Sequence, residues 1–273
     1  MVEILVHFVA PALVGVLIGI ASGLLGIGGG TVMVPIFRLA FGMSATMSTA
    51  TSLFAIIPTS ISGAISHVKG KTCIPALGIA AGLGGACLSP VGVWLAQLSP
   101  DWLVMLAAAL IIGYSAINMF KKAFKLRPAG QPAAGVDAAA STADDSSLSR
   151  KQLLQGAAIG LVAGLASGYV GVGGGFIMVP LMLSIIGIPM RKASGTSLIA
   201  VMILAIPGVI EQGIIGNINY LAGIAIVIGT IPGAVIGARL VTKVPERTLR
   251  LLFGCFLIVA AVMLVLNEVG IFG

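Results

Sequence analysis

No Asp, Glu, Lys or Arg occurs between Glu3 and Arg38, between Lys71 and Asp101, or between Lys151 and Arg191. A bilayer-spanning helix needs about 20 apolar residues, and each of these runs exceeds that length. Inside lipid the backbone must satisfy its own N–H and C=O groups, which leaves helices or a closed barrel. Barrel strands alternate in polarity over about ten residues, whereas these runs are apolar on every face. The fold class is therefore an all-α polytopic membrane protein. Composition agrees: 58% of residues are hydrophobic and 8% charged, against about 25% charged in a soluble domain.

The net charge of +7 could suggest nucleic acid. Scattered basic residues in so apolar a chain fit the cytoplasmic loops of a membrane protein better. The expected partner is the lipid bilayer, not nucleic acid. The opening Met1-Val2-Glu3 lacks the basic stretch of a secretory signal. Cys73, Cys87 and Cys255 have no metal-ligand spacing and are expected as small packing residues. No metal or cofactor is expected.

The chain repeats itself. A shift of 145 residues lays Gly15 to Pro35 over Gly160 to Pro180, pairing Ser22 with Ser167 and Gly28-Gly29-Gly30 with Gly173-Gly174-Gly175. The same shift pairs Thr51-Ser52-Leu53 with Thr196-Ser197-Leu198 and Pro100 with Pro245. A constant shift over most of each half indicates duplication. The organisation predicted is a first membrane repeat at 1–122, a disordered cytoplasmic linker at 123–150 and a second repeat at 151–273.

Charges, prolines and glycines divide each repeat into five segments: 4–26, 31–43, 47–67, 74–98 and 102–122, then 153–171, 176–188, 193–213, 220–241 and 247–267. The second segment of each set reaches only about 20 Å, short of a core of about 30 Å. A straight crossing through the glycines divides the basic residues 8 against 7, with no bias. A turn back at the glycines puts 14 of 15 on one side and leaves only Arg38 on the other. The expectation is two inverted repeats, each a broken or re-entrant Gly-rich helix pair plus about three transmembrane helices.

The glycine runs do not form a dinucleotide turn, because Thr31 and Phe176 stand where the third glycine of Gly-x-Gly-x-x-Gly belongs and no βαβ unit surrounds them. A helix starting near Thr31 or Phe176 would instead aim its positive dipole end and unpaired N–H groups at the break. Two such ends brought together make an anion site without a buried full charge. Tight helix packing is the alternative use of glycine, and it suits Gly15, Gly19 and Gly23 better than a Gly-Gly-Gly run. The candidate site is thus Gly28, Gly29, Gly30 and Thr31 with Gly173, Gly174, Gly175 and Phe176. The hydroxyls of Ser22, Thr51, Ser52, Ser167, Thr196 and Ser197 are added because they recur at matched positions.

Glu211, beside Gln212, is the candidate for proton coupling. His67 is expected at the interface near Lys69 and Lys71, and kinks are expected at Pro58 and Pro207. No Cys–His pair, histidine cluster or carboxylate pair lies at catalytic spacing, which argues for transport over catalysis. A passive anion channel and a membrane-embedded enzyme are the alternatives.

The motif Ser-Gly-x-x-Gly-x-Gly-Gly-Gly-x-x-x-x-Pro, at Ser22 to Pro35 and again at Ser167 to Pro180, resembles that of the TauE/SafE family of sulfite exporters, also called the toluenesulfonate uptake permease family. The resemblance covers both halves. It implies a multi-pass carrier in the bacterial inner membrane for sulfite, sulfonates or related sulfur-containing anions, usually exporting them. The expected substrate is a small anion moved by a proton or anion gradient.

Overall fold

The computed structural model describes residues 10–125 and 149–268, and every regular element among them is helical. The first half contains α1 (Ala10–Leu25), α2 (Gly30–Phe41), α3 (Ala45–Lys69), α4 (Pro75–Leu98) and α5 (Asp101–Lys125). The second half contains α6 (Arg150–Val170), α7 (Gly175–Leu181, running on as a π-turn over Met182–Ile186), α8 (Met190–Ile215), α9 (Tyr220–Leu240) and α10 (Glu246–Glu268). Seven of these helices, α3 to α6 and α8 to α10, are long and apolar enough to cross a membrane. The expected linker lies outside the described residues except at its ends. There α5 continues to Lys125, and Ser149 opens α6 through a capping box with Gln152. Helices α3 and α8 continue through Pro58 and Pro207.

Glycine sets the closest packing. A Cβ on Gly15 would lie 2.4 Å from the Ile226 carbonyl oxygen, one on Gly19 2.4 Å from that of Thr230, and one on Gly23 2.1 Å from that of Ala234. Both numbers rise together, so α1 and α9 run parallel. Their counterparts do the same: Gly160 faces Ala81, Gly164 faces Gly85 and Gly168 faces Ser89, so α6 and α4 run parallel. Lipid tails provide no hydrophobic drive between helices, and small residues that let backbones approach supply dispersion contact instead. Helices α3 and α8, equivalent under the repeat, cross in opposite directions: Gly208 meets Leu53, Gly63 meets Leu198 and Gly195 meets His67.

These contacts define two ends. At one, the Asp101 carboxylate accepts from the Ala45 N–H (3.3 Å), Thr51 accepts from the Asn219 N–H (3.0 Å), and Phe54 packs edge-on against Tyr220. The start of α1 lies at this end too, since Gly15 packs on the first turns of α9. Only residues 42–44 join α2 to α3, so α2 returns to the end from which α1 entered. At the other end, Glu246 accepts from the Met190 N–H (3.3 Å) and Arg191 donates to the Val244 carbonyl (3.0 Å). Asp101 and Glu246 are repeat counterparts capping counterpart helices.

The outward faces are apolar. Leu17, Leu110, Ile214 and Leu221 stand exposed on the isolated chain, the reverse of a soluble protein and what a lipid solvent requires. The cysteines depart from expectation in part. Cys73 packs partly buried on Ala64, Leu198 and Ile199, whereas Cys87 and Cys255 are exposed. They sit on outward helix faces, where lipid accepts a small apolar thiol as readily as a core does.

Candidate functional site

Each break is built from glycines with different tasks. Helix α1 closes at Gly26 (φ 76°), whose N–H donates to the Ser22 carbonyl (2.8 Å). Helix α6 closes at Gly171 (φ 73°), donating to the Ser167 carbonyl (2.7 Å). Gly28 and Gly29 (φ 81° and 86°) and Gly173 and Gly174 (φ 87° and 70°) then reverse the chain in the left-handed region, where a side chain is strained. Gly30 and Gly175 already belong to α2 and α7 and need no such conformation. They are glycine for another reason. A Cβ on Gly30 would lie 2.6 Å from the Val172 carbonyl oxygen, and one on Gly175 2.4 Å from that of Gly26. The two breaks therefore touch backbone to backbone, each through the last residue of its glycine run.

Around this contact lie donors without acceptors. In the first turn of α2, the N–H groups of Val32 and Met33 bond to the Gly29 carbonyl (3.3 and 3.2 Å). Those of Gly29, Gly30 and Thr31 meet no acceptor among the described residues. The hydroxyls of Ser22, Thr31, Ser52 and Ser167 are buried and have no hydrogen-bond partner. Three hydroxyls that the sequence did not single out share that state: Ser48, Ser60 and Ser89. Ser60 Oγ comes within 3.5 Å of where a Cβ on Gly28 would stand, and the Ser22 Cβ within 3.6 Å of the corresponding point on Gly29. All of these hydroxyls but that of Ser167 lie in the first half, while in the second break the N–H groups of Gly174 and Phe176 also meet no acceptor among the described residues. Ser60 stands at helical spacing from Ser52 and Ile56 on α3, but its repeat counterpart is Ala205, so recurrence at matched positions gives no cue to it.

Other candidates have partners. Thr196 Oγ1 accepts from the Ile74 N–H (2.9 Å) and donates to the Lys192 carbonyl (2.7 Å). Thr51, its counterpart, holds the Asn219 N–H. Each threonine thus pins the start of a helix in the opposite half. Ser197 donates to the Gly26 carbonyl (2.7 Å), tying α8 to the first break. Phe176 is wholly buried in the apolar core with Met178 and Val179.

His67 lies in the last turn of α3 and is fully buried within the protein. Its Nε2 donates to the Gly23 carbonyl and its Nδ1 pairs with Thr72 Oγ1, both at 2.7 Å. Gly195 leaves room for the ring, since a Cβ there would come within 2.8 Å of it. The counterpart latch at the opposite end joins Gln212 Oε1 to Asn217 Nδ2 (2.8 Å). Glu211, beside that latch, has one carboxylate oxygen buried without a partner.

Apolar spans packed by glycine, with two short helices meeting through breaks in mid-protein, define a multi-pass membrane transporter. The chain belongs to the family described as Sulfite exporter TauE/SafE, which it matches over residues 11–264. Among curated proteins it is similar to the probable membrane transporter protein YunE of Bacillus subtilis, 28% identical over 97% of this chain and 99% of the relative. A probable membrane transporter protein of Haemophilus influenzae is 29% identical over 93% and 97%. The probable membrane transporter protein MJ0441 of Methanocaldococcus jannaschii is 25% identical over 93% and 94%. No solved structure matches.

Proposed function

We propose that this protein is a secondary transporter that exports small sulfur-containing anions, such as sulfite or a sulfonate, across a bacterial inner membrane. The carrying observation is the contact of the two glycine breaks beside buried N–H and hydroxyl donors that have no acceptor. Buried donors left unpaired are costly, about 1–3 kcal/mol each. An anionic oxygen satisfies several at once, and the dipole of α2 favours its charge. Gly29, Gly30, Thr31, Ser22, Ser52 and Ser60 would hold the anion, with Gly173, Gly174, Gly175 and Ser167 closing the opposite side. Phe176, Thr51, Thr196 and Ser197 would shape that site by holding its walls. The sulfur chemistry and the export direction follow the family's description.

In this reading the two repeats are inverted in the bilayer, with the linker and nearly all basic residues in the cytoplasm. Supporting this are the opposed directions of α3 and α8 and the opposite placing of Asp101 and Glu246. Rocking of one half against the other would then expose the site alternately. The test is a flux panel of sulfite, an alkylsulfonate and thiosulfate in proteoliposomes, with and without a pH gradient. Trans-stimulated exchange of one of them is expected; leak without trans-stimulation would make the protein a channel. Ser22→Ala and Ser60→Ala should each raise the half-saturating concentration about tenfold, the worth of one hydrogen bond to a charged group. Unchanged saturation in both would remove them from the site.

Energy coupling is assigned to His67 ahead of Glu211, which is the remaining carboxylate candidate. With Nε2 donating to Gly23, a proton taken at Nδ1 would reverse the bond to Thr72, whose hydroxyl can turn to the His67 carbonyl (3.3 Å). No partner is lost on protonation. Lys69 and Lys71 follow on the same segment, and no carboxylate faces the ring among the described interactions. His67→Gln copies the residue found at position 212. It should keep exchange but lose acceleration by an imposed pH gradient; full acceleration in this variant would exclude His67 and leave Glu211→Gln to be tested.

A further inference from the structure

The repeat places a groove on each side of the molecule, and the two have diverged. One lies between α1 and α10, has a volume of about 360 Å³ and is lined by Leu17, Leu24, Phe256 and Val259 among other apolar groups. Its counterpart between α4, α5, α6 and α7 has a volume of about 850 Å³. There α5 presents Tyr114, Asn118 and Lys122 as one stripe at four-residue spacing. The residues at the matching positions of α10 are Val259, Met263 and Asn267. Of the two grooves, only the larger carries a lysine and a polar side chain at all three of these positions.

Lys122 supplies the chemistry. Its Nζ donates to the Pro180 carbonyl (2.8 Å) and to Ser184 Oγ, at the π-turn that ends α7. An ammonium has three donors, so one remains to point along the groove. No carboxylate pairs with Lys122 among the described residues. The charged neighbour of Lys122 is Arg250, which pairs with Glu246, itself also accepting from the Met190 N–H. Lys122 stands at the end of the molecule that gathers Arg191, Arg247 and Arg250, and beside the polar stripe the groove is walled mainly by apolar groups such as Ile111, Val162 and Leu165. A basic head position leading into an apolar channel open to the bilayer matches one kind of molecule.

We propose that this groove binds an anionic phospholipid, its phosphate on Lys122 and Asn118 and an acyl chain along Ile111, Val162 and Leu165. Basic pockets between transmembrane helices on the basic side of a protein hold such headgroups. Because the lipid would bridge α5 and α7, it would brace the second glycine break from outside, at a distance from the anion site.

Native mass spectrometry of the full chain, exchanged into equimolar phosphatidylglycerol and phosphatidylethanolamine, tests this directly. Wild type should retain phosphatidylglycerol preferentially, and Lys122→Gln should lower that preference about fivefold, the worth of one basic contact at a lipid surface. Ala166→Phe fills the groove while leaving Lys122 in place and should remove the bound lipid altogether. Lys121→Gln, an exposed neighbour outside the groove, should leave retention unchanged. Size exclusion of all three variants shows whether they remain folded, and a loss seen only in the misfolded one is discounted by the other. The proposal is overturned if wild type shows no preference, if Lys121→Gln acts as strongly as Lys122→Gln, or if a second copy of the chain covers this face.

Discussion

Gly175→Ala is expected to abolish substrate exchange while leaving the helices inserted and packed. The added methyl strains no backbone angle, because Gly175 is the first residue of a right-handed helix. Its effect is purely steric. The new Cβ would sit 2.4 Å from the Gly26 carbonyl oxygen and 2.9 Å from that of Ile27, both backbone atoms that cannot rotate away. The first break must therefore move off the second, taking with it the N–H groups of Gly29 and Gly30. Gly30→Ala makes the mirror-image intrusion, at 2.6 Å from the Val172 oxygen, and should do the same. Overpacking of this kind costs about 1–3 kcal/mol, so a modest fall in melting temperature should accompany a complete loss of counterflow. Because the two substitutions act on one shared contact, their effects should not add in the double variant. Wild-type counterflow in both single variants would show that the contact of the breaks has no part in transport.

The second large effect concerns folding. Gly164→Leu should leave little monodisperse protein, because the Cβ alone would fall 2.1 Å from the Gly85 carbonyl oxygen and 2.5 Å from its Cα. Helices α4 and α6 cannot then keep their parallel contact, and lipid provides no hydrophobic force to hold them at a greater distance. Gly19→Leu repeats the insult between α1 and α9, where Thr230 backbone atoms stand at 2.4 and 2.8 Å. Gly113→Leu is the control, since nothing lies within 4 Å of a Cβ there. Fluorescence-detected size exclusion after mild solubilisation separates the cases. Elution of Gly164→Leu at the wild-type position and yield would mean that glycine contact does not hold the halves together.

Much of the fold could be read before any coordinates. The segments expected at 47–67, 74–98 and 193–213 appear as Ala45–Lys69, Pro75–Leu98 and Met190–Ile215. The expected short second segments appear as Gly30–Phe41 and Gly175–Ile186. Lipid makes this possible: a spanning segment must close its hydrogen bonds within itself, so its limits are set by its own charges, prolines and glycines. The glycine breaks were legible for the same local reason. A run at Gly28 to Gly30 announces backbone conformations that other residues avoid.

What each hydroxyl does was not legible, and matched position proved a poor guide to it. Ser22 and Ser167 are both unpaired, but Ser52 is unpaired where its counterpart Ser197 binds Gly26, and Ser60 has no counterpart at all. His67 reads as interfacial beside two lysines, and its enclosure by Gly23, Thr72 and Gly195 was not legible there.

From sequence alone follow the helical class, the duplication, the element limits and the two places where the chain must break, because these depend on each segment and its solvent. The tertiary structure decided which donors remain free, that the last residues of the two glycine runs touch, and which of two matching grooves carries a lysine. Those properties depend on partners far away in the chain: Thr51 on Asn219, Gly30 on Val172, Lys122 on Pro180. Hydrogen bonds and close packing are settled by such distant neighbours, and only the assembled halves bring them into range.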